Sequence, residues 1–297
     1  MLKMNIMTEI KELLPELTKT QVRIANYILD NPDEICFSSL KKLAEEIGVT
    51  ETTIINFCKK TEYQSYAGIK TAMRNYLQDR LLWNSKLEST AAAYDADDEM
   101  VEKLKQNQKE ILESSIENLS SGELFDFVDV LSKAEHIYIC AHSASLLIAR
   151  NFYDKLRATG ARASVVDVND YTDVLDMLTH RGDSDVFVLI TLPYYSVQTV
   201  AISDYLASVD ATILAMTDKI TSPIARNAKH ILLFNTKHMI FHNSSSALIA
   251  AGDIIAGLYI LQNKEKFNRY NENVKRIEEF FQTATLPAFD NEYFYQQ

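Results

Sequence analysis

The hydrophobic residues follow two different patterns along the chain. Before residue 84 they recur at helical intervals, as in Leu40, Leu43, Ala44 and Ile47, which fall on one face of a helix. Farther along, short runs rich in Val, Ile and Leu alternate with stretches of helical spacing. These runs are Ile137–Cys140, Ala163–Val168, Val186–Ile190, Ala211–Met216 and Ile231–Phe234. Apolar strands separated by helices are typical of a parallel sheet covered on both faces.

The two patterns predict an all-α domain followed by an α/β domain. We expect the first over residues 1–83. The second, over residues 106–283, should contain a five-stranded, doubly wound parallel sheet flanked by helices. Residues 84–105 are rich in Ser, Thr, Ala and Asp and predict a linker that leads into a helix, and residues 284–297 predict a tail.

The helical part contains one informative local motif. The helix that starts at Leu40 is followed by Gly48, which can close a helix in the left-handed conformation at low steric cost. Thr50 can cap a second helix, which places Ile54 and Phe57 against the first. Two helices joined by such a turn form a helix-turn-helix, a hairpin used to read DNA. The alternative is a helical hairpin of an ordinary bundle.

The outward face of the second helix carries short polar side chains and two lysines. An asparagine amide at Asn56 can pair its donor and acceptor with adenine in the major groove, and lysines suit phosphates. We expect Lys70 and Arg74 to extend this basic rim; the alternative is an ordinary solvated face. The candidate DNA-binding residues are Ser39, Thr50, Thr52, Thr53, Asn56, Lys59 and Lys60.

Composition narrows the possible functions. The chain has 30 Lys and Arg against 41 Asp and Glu, and the net charge of −11 lies outside residues 1–83, where acidic and basic residues balance. DNA binding by a neutral domain depends on a local basic surface, which dimerisation doubles. The seven glycines are scattered singly, so the sequence contains no dinucleotide-binding or P-loop motif. We therefore predict no nucleotide-dependent enzyme.

Cysteine and histidine spacing argues against a metal centre. Cys36, Cys58 and Cys140 lie far apart, which favours a reducing compartment. Because no Cys/His grouping has metal-ligand spacing, we predict no metal and no cofactor. The first residues have no signal-peptide pattern, and the longest apolar run, Ala247–Leu261, contains Asp253 and predicts a buried helix instead of a membrane span. We expect a cytoplasmic protein with no membrane partner.

Two predicted strand-to-helix loops are rich in hydroxyl groups. In parallel α/β sheets ligands bind beyond the carboxyl ends of the strands, where helix N-termini stabilise anions. One loop follows the first strand and the other, Thr191–Thr199, follows the third. The candidate ligand-binding residues are Ser143, Ser145, Tyr195, Ser196 and Thr199. His142 is a possible further ligand contact. The alternatives are ordinary helix caps for the hydroxyls and a solvated side chain for His142.

The sequence resembles the RpiR-type transcriptional regulators, which join an N-terminal helix-turn-helix to a sugar isomerase (SIS) domain. The resemblance extends over residues 5–262. It is carried by the segments Arg23–Pro32, Leu43–Lys59, Tyr63–Tyr66 and Ile190–Thr199. It implies a DNA-binding regulator whose SIS domain binds a phosphosugar or related metabolite and helps to form dimers or tetramers.

The resemblance also suggests roles for single residues in the two hydroxyl loops. Ser145 matches the serine that closes the family's G-x-G-x-S loop, and Ser196 and Thr199 match its S-x-x-T motif. The chain departs from the family at several positions. Ala141 and Ser143 replace the two glycines, Tyr194 a serine, Val197 a glycine and Asn56 an arginine. The side chains that replace glycine in the loops leave less space for a phosphate to reach the backbone. In the second helix of the hairpin, Asn56 in place of arginine should alter the base preference.

The resulting prediction is a regulator that is not an enzyme. It should bind a palindromic operator as a homodimer or tetramer and change its DNA affinity when a phosphosugar-like effector binds. One alternative is a sugar-phosphate isomerase with an accessory helix-turn-helix. That chemistry needs a positioned carboxylate base, and the sequence offers no clear pair at the strand ends. The other alternative is a regulator whose SIS domain only dimerises.

Overall fold

The computed structural model describes residues 5–81 and 90–283, and its first part is helical. Thr18 and Gln21 form a capping box at the start of the second helix, with Gln21 N donating to Thr18 Oγ1 at 3.4 Å. Apolar side chains from each of these helices, including Ile35 of the shortest one, form a buried core. The helices over residues 5–81 are α1 (Ile6–Leu13), α2 (Lys19–Asp30), α3 (Pro32–Ile35), α4 (Leu40–Ile47), α5 (Glu51–Cys58) and α6 (Tyr66–Leu81).

Helices α4 and α5 form the predicted helix-turn-helix. Ser39 caps α4 by accepting a hydrogen bond from Lys42 N at 3.1 Å, and Thr50 caps α5 by accepting one from Thr53 N at 3.2 Å. Between them Gly48 has φ +70°, in the left-handed region that favours glycine. The Arg23 guanidinium, on α2, donates to the carbonyl of Ile47, so a cation satisfies the negative end of α4.

The second part of the chain forms one five-stranded sheet. All neighbouring strands are parallel and the order is β2-β1-β3-β4-β5, so the predicted parallel sheet is confirmed. The strands are β1 (Ile137–Ala141), β2 (Ala163–Asp167), β3 (Val186–Ile190), β4 (Thr212–Thr217) and β5 (His230–Leu233). The helices from Asp98 onward are α7 (Asp98–Asn118), α8 (Ser121–Lys133), α9 (Ser145–Ala158), α10 (Tyr171–His180), α11 (Val197–Ser208), α12 (Ser246–Gln262) and α13 (Lys264–Thr283).

Helices cover both faces of the sheet, as the continuous apolar strands require. Strand side chains such as Ile139 and Val188 join a core with α7, α8, α9 and α12, while their neighbours Cys140 and Phe187 join a second core with α10 and α11. After β1 the chain therefore enters a helix on one face, and after β3 it enters a helix on the other. Because β1 and β3 are adjacent, their connections diverge and leave a crevice at the carboxyl edge.

Helix α7 continues through the boundary expected between residues 105 and 106. The expected tail, residues 284–297, lies outside the described residues, so the division into domains stays a prediction. The apolar run is confirmed as a largely buried helix, α12, packed against the sheet core. Among the described residues no single helix is long and apolar enough to cross a membrane; only the bent pair Ser246–Gln262 and Lys264–Phe281, at 97°, meets length and composition requirements together.

The left-handed conformation of Gly48 gives a stability prediction. Gly48→Ala should lower the free energy of unfolding by about 1–2 kcal/mol, because a Cβ strains this backbone conformation. The new Cβ would meet its nearest neighbour, Arg23 Nη2, at an ordinary contact distance of 3.5 Å, so a clash is not the cause.

Urea unfolding of the intact protein measures this difference, with Gly122→Ala as the matched control. Gly122 lies in the first turn of α8, where an added Cβ meets nothing within 4 Å. That control should leave stability unchanged or raise it, since alanine is the better helix former. An equal loss in both variants would contradict the backbone explanation.

Candidate functional site

Helix α5 buries one apolar face and exposes another that is mostly polar, with Ile55 as an exposed apolar residue. Ile54 and Phe57 are fully buried against the other helices. Thr52 and Asn56 are exposed on the opposite side, followed by exposed Lys59 and Lys60. The arrangement matches the orientation expected of a helix that enters a DNA groove.

Three of the predicted DNA-binding hydroxyls have a structural task. Ser39 and Thr50 cap their helices, and the Thr50 and Thr53 hydroxyl oxygens lie 2.8 Å apart. Thr53 is half-buried as a result of this local packing. Their contact with DNA stays a prediction, as does that of Thr52, Asn56, Lys59 and Lys60. Lys60 Nζ lies 3.5 Å from the carbonyl oxygen of Glu16.

The expectation that Lys70 and Arg74 extend the basic rim is wrong. Both are half-buried on α6 and turn toward the loop that precedes α4. Lys70 Nζ donates to the Ser38 carbonyl at 3.1 Å, and Arg74 Nη2 donates to the Cys36 carbonyl at 2.9 Å. Desolvation, and secondarily the charge of Arg74, lower the pKa of Lys70. The sequence did not reveal which face of α6 would be covered.

A cavity of about 210 Å³ lies at the crevice between β1 and β3. Its lining from the sheet side includes His142, which follows β1, and the loop after β3. Its other wall comes from the helical part of the chain. The lining residues are Cys36, Phe37, Arg74, Leu77, His142, Tyr194, Tyr195, Ser196, Val197 and Gln198. The cavity is therefore composite, formed where the two parts of the chain meet.

The structure brings only some of the predicted ligand residues to this cavity. Tyr195 and Ser196 line it. Ser143 is exposed with φ +52°, and Ser145 begins α9; neither is among the lining residues. Thr199 is fully buried in the first turn of α11, and its hydroxyl has no hydrogen-bond partner among the described residues. Binding roles for all five residues stay predictions.

Hydrogen bonds hold the loop after β3 in place at the start of α11. Ser196 Oγ accepts from Thr199 N at 3.2 Å and so caps the helix. Ser196 N donates to Thr191 Oγ1 at 3.2 Å. Asn243, far along the chain, donates through Nδ2 to the Pro193 carbonyl at 3.1 Å. The helix N-terminus is therefore presented in a defined position beside the cavity.

Two tyrosines in this loop contact the helical part. Tyr195 donates its hydroxyl proton to Asp218 Oδ1 at 2.7 Å, and its ring meets Phe37 edge-on at a centroid distance of 6.4 Å. Tyr194 has φ +68° and packs against the helical core on one side and against His242, 5.0 Å away between centroids, on another. The loop after β3 thus faces both the cavity and the helix-turn-helix part.

Sequence reasoning missed several neighbours of the cavity. Asp218 directly follows β4 and lies at the same carboxyl edge, so its position after a strand was a usable signal. Asp167 ends β2, with Oδ1 3.8 Å from His142 Nδ1. Phe37 and Arg74 carry no comparable signal, because they lie in the helical part and reach the cavity only through tertiary packing.

Two groups that attract an anion face the cavity. One is the cationic Arg74, whereas the described residues that line the cavity include no carboxylate; Asp218 and Asp167 lie behind the lining residues Tyr195 and His142. Helix α11 begins at the cavity wall with Val197, and its first amide groups and dipole attract negative charge. A phosphate or carboxylate group is the ligand chemistry that this arrangement suits.

Family models match both parts of the chain. The model described as helix-turn-helix domain, rpiR family, matches residues 4–80, and that of the SIS domain matches residues 130–256. Two curated relatives are each described as an uncharacterized HTH-type transcriptional regulator. One, from Haemophilus influenzae, is 26% identical over 262 residues, which cover 86% of this chain and 87% of the relative. The other, from Caldanaerobacter subterraneus subsp. tengcongensis, is 24% identical over 278 residues, which cover 92% of this chain and 96% of the relative.

Solved structures show the same fold. The sugar isomerase domain of the RpiR transcription factor from Sphaerobacter thermophilus aligns with a TM-score of 0.55 and 22% identity, over 59% of this chain and 97% of that one. The Vibrio vulnificus NanR protein complexed with ManNAc-6P aligns with a TM-score of 0.65 and 15% identity, over 93% of this chain and 99% of that one. The second alignment includes both the helical part and the sheet.

Proposed function

From the premise that this chain belongs to the rpiR family of helix-turn-helix regulators and carries a SIS domain, we propose that it binds operator DNA and responds to a phosphorylated sugar or related metabolite. One observation supports the DNA-binding half most directly. The helix after the turn, α5, exposes Thr52 and Asn56 and is followed by exposed Lys59, while Ile54 and Phe57 are buried. The proposal includes a cytoplasmic location, because the operator is there.

The proposed DNA complex places α5 in the major groove. The Asn56 amide would read one base, and Lys59 and Lys60 would contact phosphates on either side. A homodimer or tetramer would present two such helices, so the operator should be a palindrome. Exposed apolar side chains on α13, among them Ile277 (55% exposed) and Phe280 (63% exposed), suit a contact between subunits.

Selection of oligonucleotides bound by the intact protein at physiological salt should yield a palindromic site. Asn56→Ala should relax the preference at one base and cost about 1–3 kcal/mol of specific binding. Lys59→Ala, its neighbour on the exposed face, should weaken all sequences alike, since a phosphate contact carries no base information.

Gel-shift titrations of both variants against the selected site and a scrambled site separate these effects. Recovery of no sequence preference would contradict the DNA-reading role of α5. A uniform loss in Asn56→Ala would contradict the assignment of base reading to that amide.

The proposed effector site is the cavity at the β1 and β3 carboxyl ends. Its support is the α11 N-terminus with the capping hydroxyl of Ser196, and the cationic Arg74 among the lining residues. The NanR structure of the same fold holds the phosphosugar ManNAc-6P. Ser143, Ser145 and Tyr195 complete the proposed set from the two loops.

Thermal unfolding in the presence of hexose, pentose and amino-sugar phosphates should identify at least one stabilising ligand. Ser196→Ala should weaken its binding by about tenfold, the effect of losing one hydrogen bond to a charged group. The matched control is Ser208→Ala at the far, exposed end of α11.

Each ligand-induced shift is compared with the same variant's own midpoint, because Ser196 also caps its helix. Stabilisation by none of the phosphates would contradict effector binding and favour a SIS domain that only forms subunit contacts. Equal affinity in Ser196→Ala and the wild type would contradict the assigned role of Ser196.

The proposal also holds that the protein is not an enzyme. Aldose–ketose isomerisation needs a carboxylate base at the substrate, and the described residues that line the cavity include none. Incubation with the same sugar phosphates, followed by separation of aldose and ketose forms, should detect no conversion above a heat-denatured control. Conversion of any of them would support the isomerase alternative.

A further inference from the structure

The effector cavity contains a cation that comes from the DNA-binding part of the chain. Arg74 lies on α6, close to the end of the described helical part, yet its side chain lines the cavity opposite the loop after β3. Its neighbour along the wall, Leu77, is one helical turn away, so α6 supplies this side of the cavity with one apolar and one charged group.

The Arg74 guanidinium is only partly satisfied. A guanidinium has five N–H donors, and one of them, on Nη2, donates a hydrogen bond to the Cys36 carbonyl. Its Nε is buried without a hydrogen-bond partner among the residues that the structure describes, and none of their carboxylates forms an ion pair with Arg74. Burying a positive charge without a counter-charge is unfavourable, so this side chain gains free energy from any anion that enters the cavity.

A second cation strengthens the positive potential. Lys70 lies one turn before Arg74, is half-buried, and donates only to the Ser38 carbonyl in the described contacts. Desolvation is the largest cause of the lowered pKa of Lys70, and the positive charges of Arg74 and Arg226 lower this pKa further. Arg226 is itself paired with Asp204 at 2.7 Å. Of Lys70, Arg74 and Arg226, Arg74 is the one that lines the cavity, and Lys70 adds positive charge behind it.

The opposite wall offers donors that complement the guanidinium. The first turn of α11 has no intrahelical carbonyl partners for its leading amide groups, at Val197 and Gln198. Both residues line the cavity, as does Ser196. An anionic group between the two walls would receive hydrogen bonds from a helix N-terminus on one side and from Arg74 on the other.

We propose that Arg74 is an effector-binding residue, supplied by the DNA-binding part to the SIS cavity, so that a phosphorylated ligand bridges the two parts of the chain. The inference rests on the proposed function, since it takes the ligand to be anionic. It adds that ligand binding and the position of the helix-turn-helix are linked: Arg74 also holds the Cys36 carbonyl, and Ser39, three residues on, caps α4.

Titration of the full-length protein with inorganic phosphate at constant ionic strength tests the assignment. Arg74→Gln should weaken phosphate binding by about tenfold or more, the effect of losing a charge-assisted bond, and Arg74→Lys should restore part of it. Arg157→Gln, an equal change of charge on the 66%-exposed side chain of α9, should change affinity less than about twofold.

The outcomes separate this inference from the proposed function. If Ser196→Ala binds phosphate more weakly and Arg74→Gln binds it with wild-type affinity, the SIS cavity remains the proposed effector site and the role of Arg74 is overturned. If the wild type binds no phosphate at all, both are overturned. Parallel losses in Arg74→Gln and Arg157→Gln would show a general charge effect and also overturn the assignment.

Hydrogen exchange on the unmodified protein gives a test that does not depend on a variant folding. Phosphate, compared with chloride at equal ionic strength, should protect backbone amides in the loop before α11 and also in residues 70–77 of α6. Protection confined to the sheet domain would overturn the bridging role, because a ligand held by one wall leaves α6 unaffected.

Discussion

The edge-on packing of Phe37 against Tyr195 joins the part of the chain that carries the helix-turn-helix to the part that carries the cavity. Hydrogen bonds fix the surroundings of both rings. Lys70 and Arg74 bind the carbonyls on both sides of Phe37, and the Tyr195 hydroxyl is bound to Asp218. Phe37 lies two residues before Ser39, the cap of α4, so this contact places the loop after β3 next to the start of the helix-turn-helix.

The cations of the helical part lie in two different environments, one exposed and one half-buried. The net charge is −11, so non-specific attraction to DNA is weak and the proposed DNA affinity has to come from local contacts. Lys59 and Lys60 point outward at the end of α5. Lys70 and Arg74 instead face inward, where the low dielectric makes a cation more effective toward an anion than it would be in water.

The elements whose signals are local were predictable. Gly48 and Thr50 act within a few residues of themselves, and the structure uses both as the spacing indicated. The five strands were visible because a strand buried on both faces must be apolar throughout, and their observed ends differ from the predicted ones by at most one residue. The prediction for Lys70 and Arg74 was wrong because their environment is not set by local signals. The hydrophobic residues of α6 do not mark one face clearly, so which face is buried depends on the segments that pack against it.

The amino-acid sequence by itself determined the turn and caps of the helix-turn-helix, which runs become strands, and which hydroxyl loops follow β1 and β3. Only the tertiary structure decided that Phe37 and Arg74 meet residues of the loop at Tyr195, and that Asp218 and Asn243 hold that loop in place. The reason is physical: capping and periodicity act between neighbours along the chain, whereas a cavity wall is assembled from distant segments by the packing of whole elements.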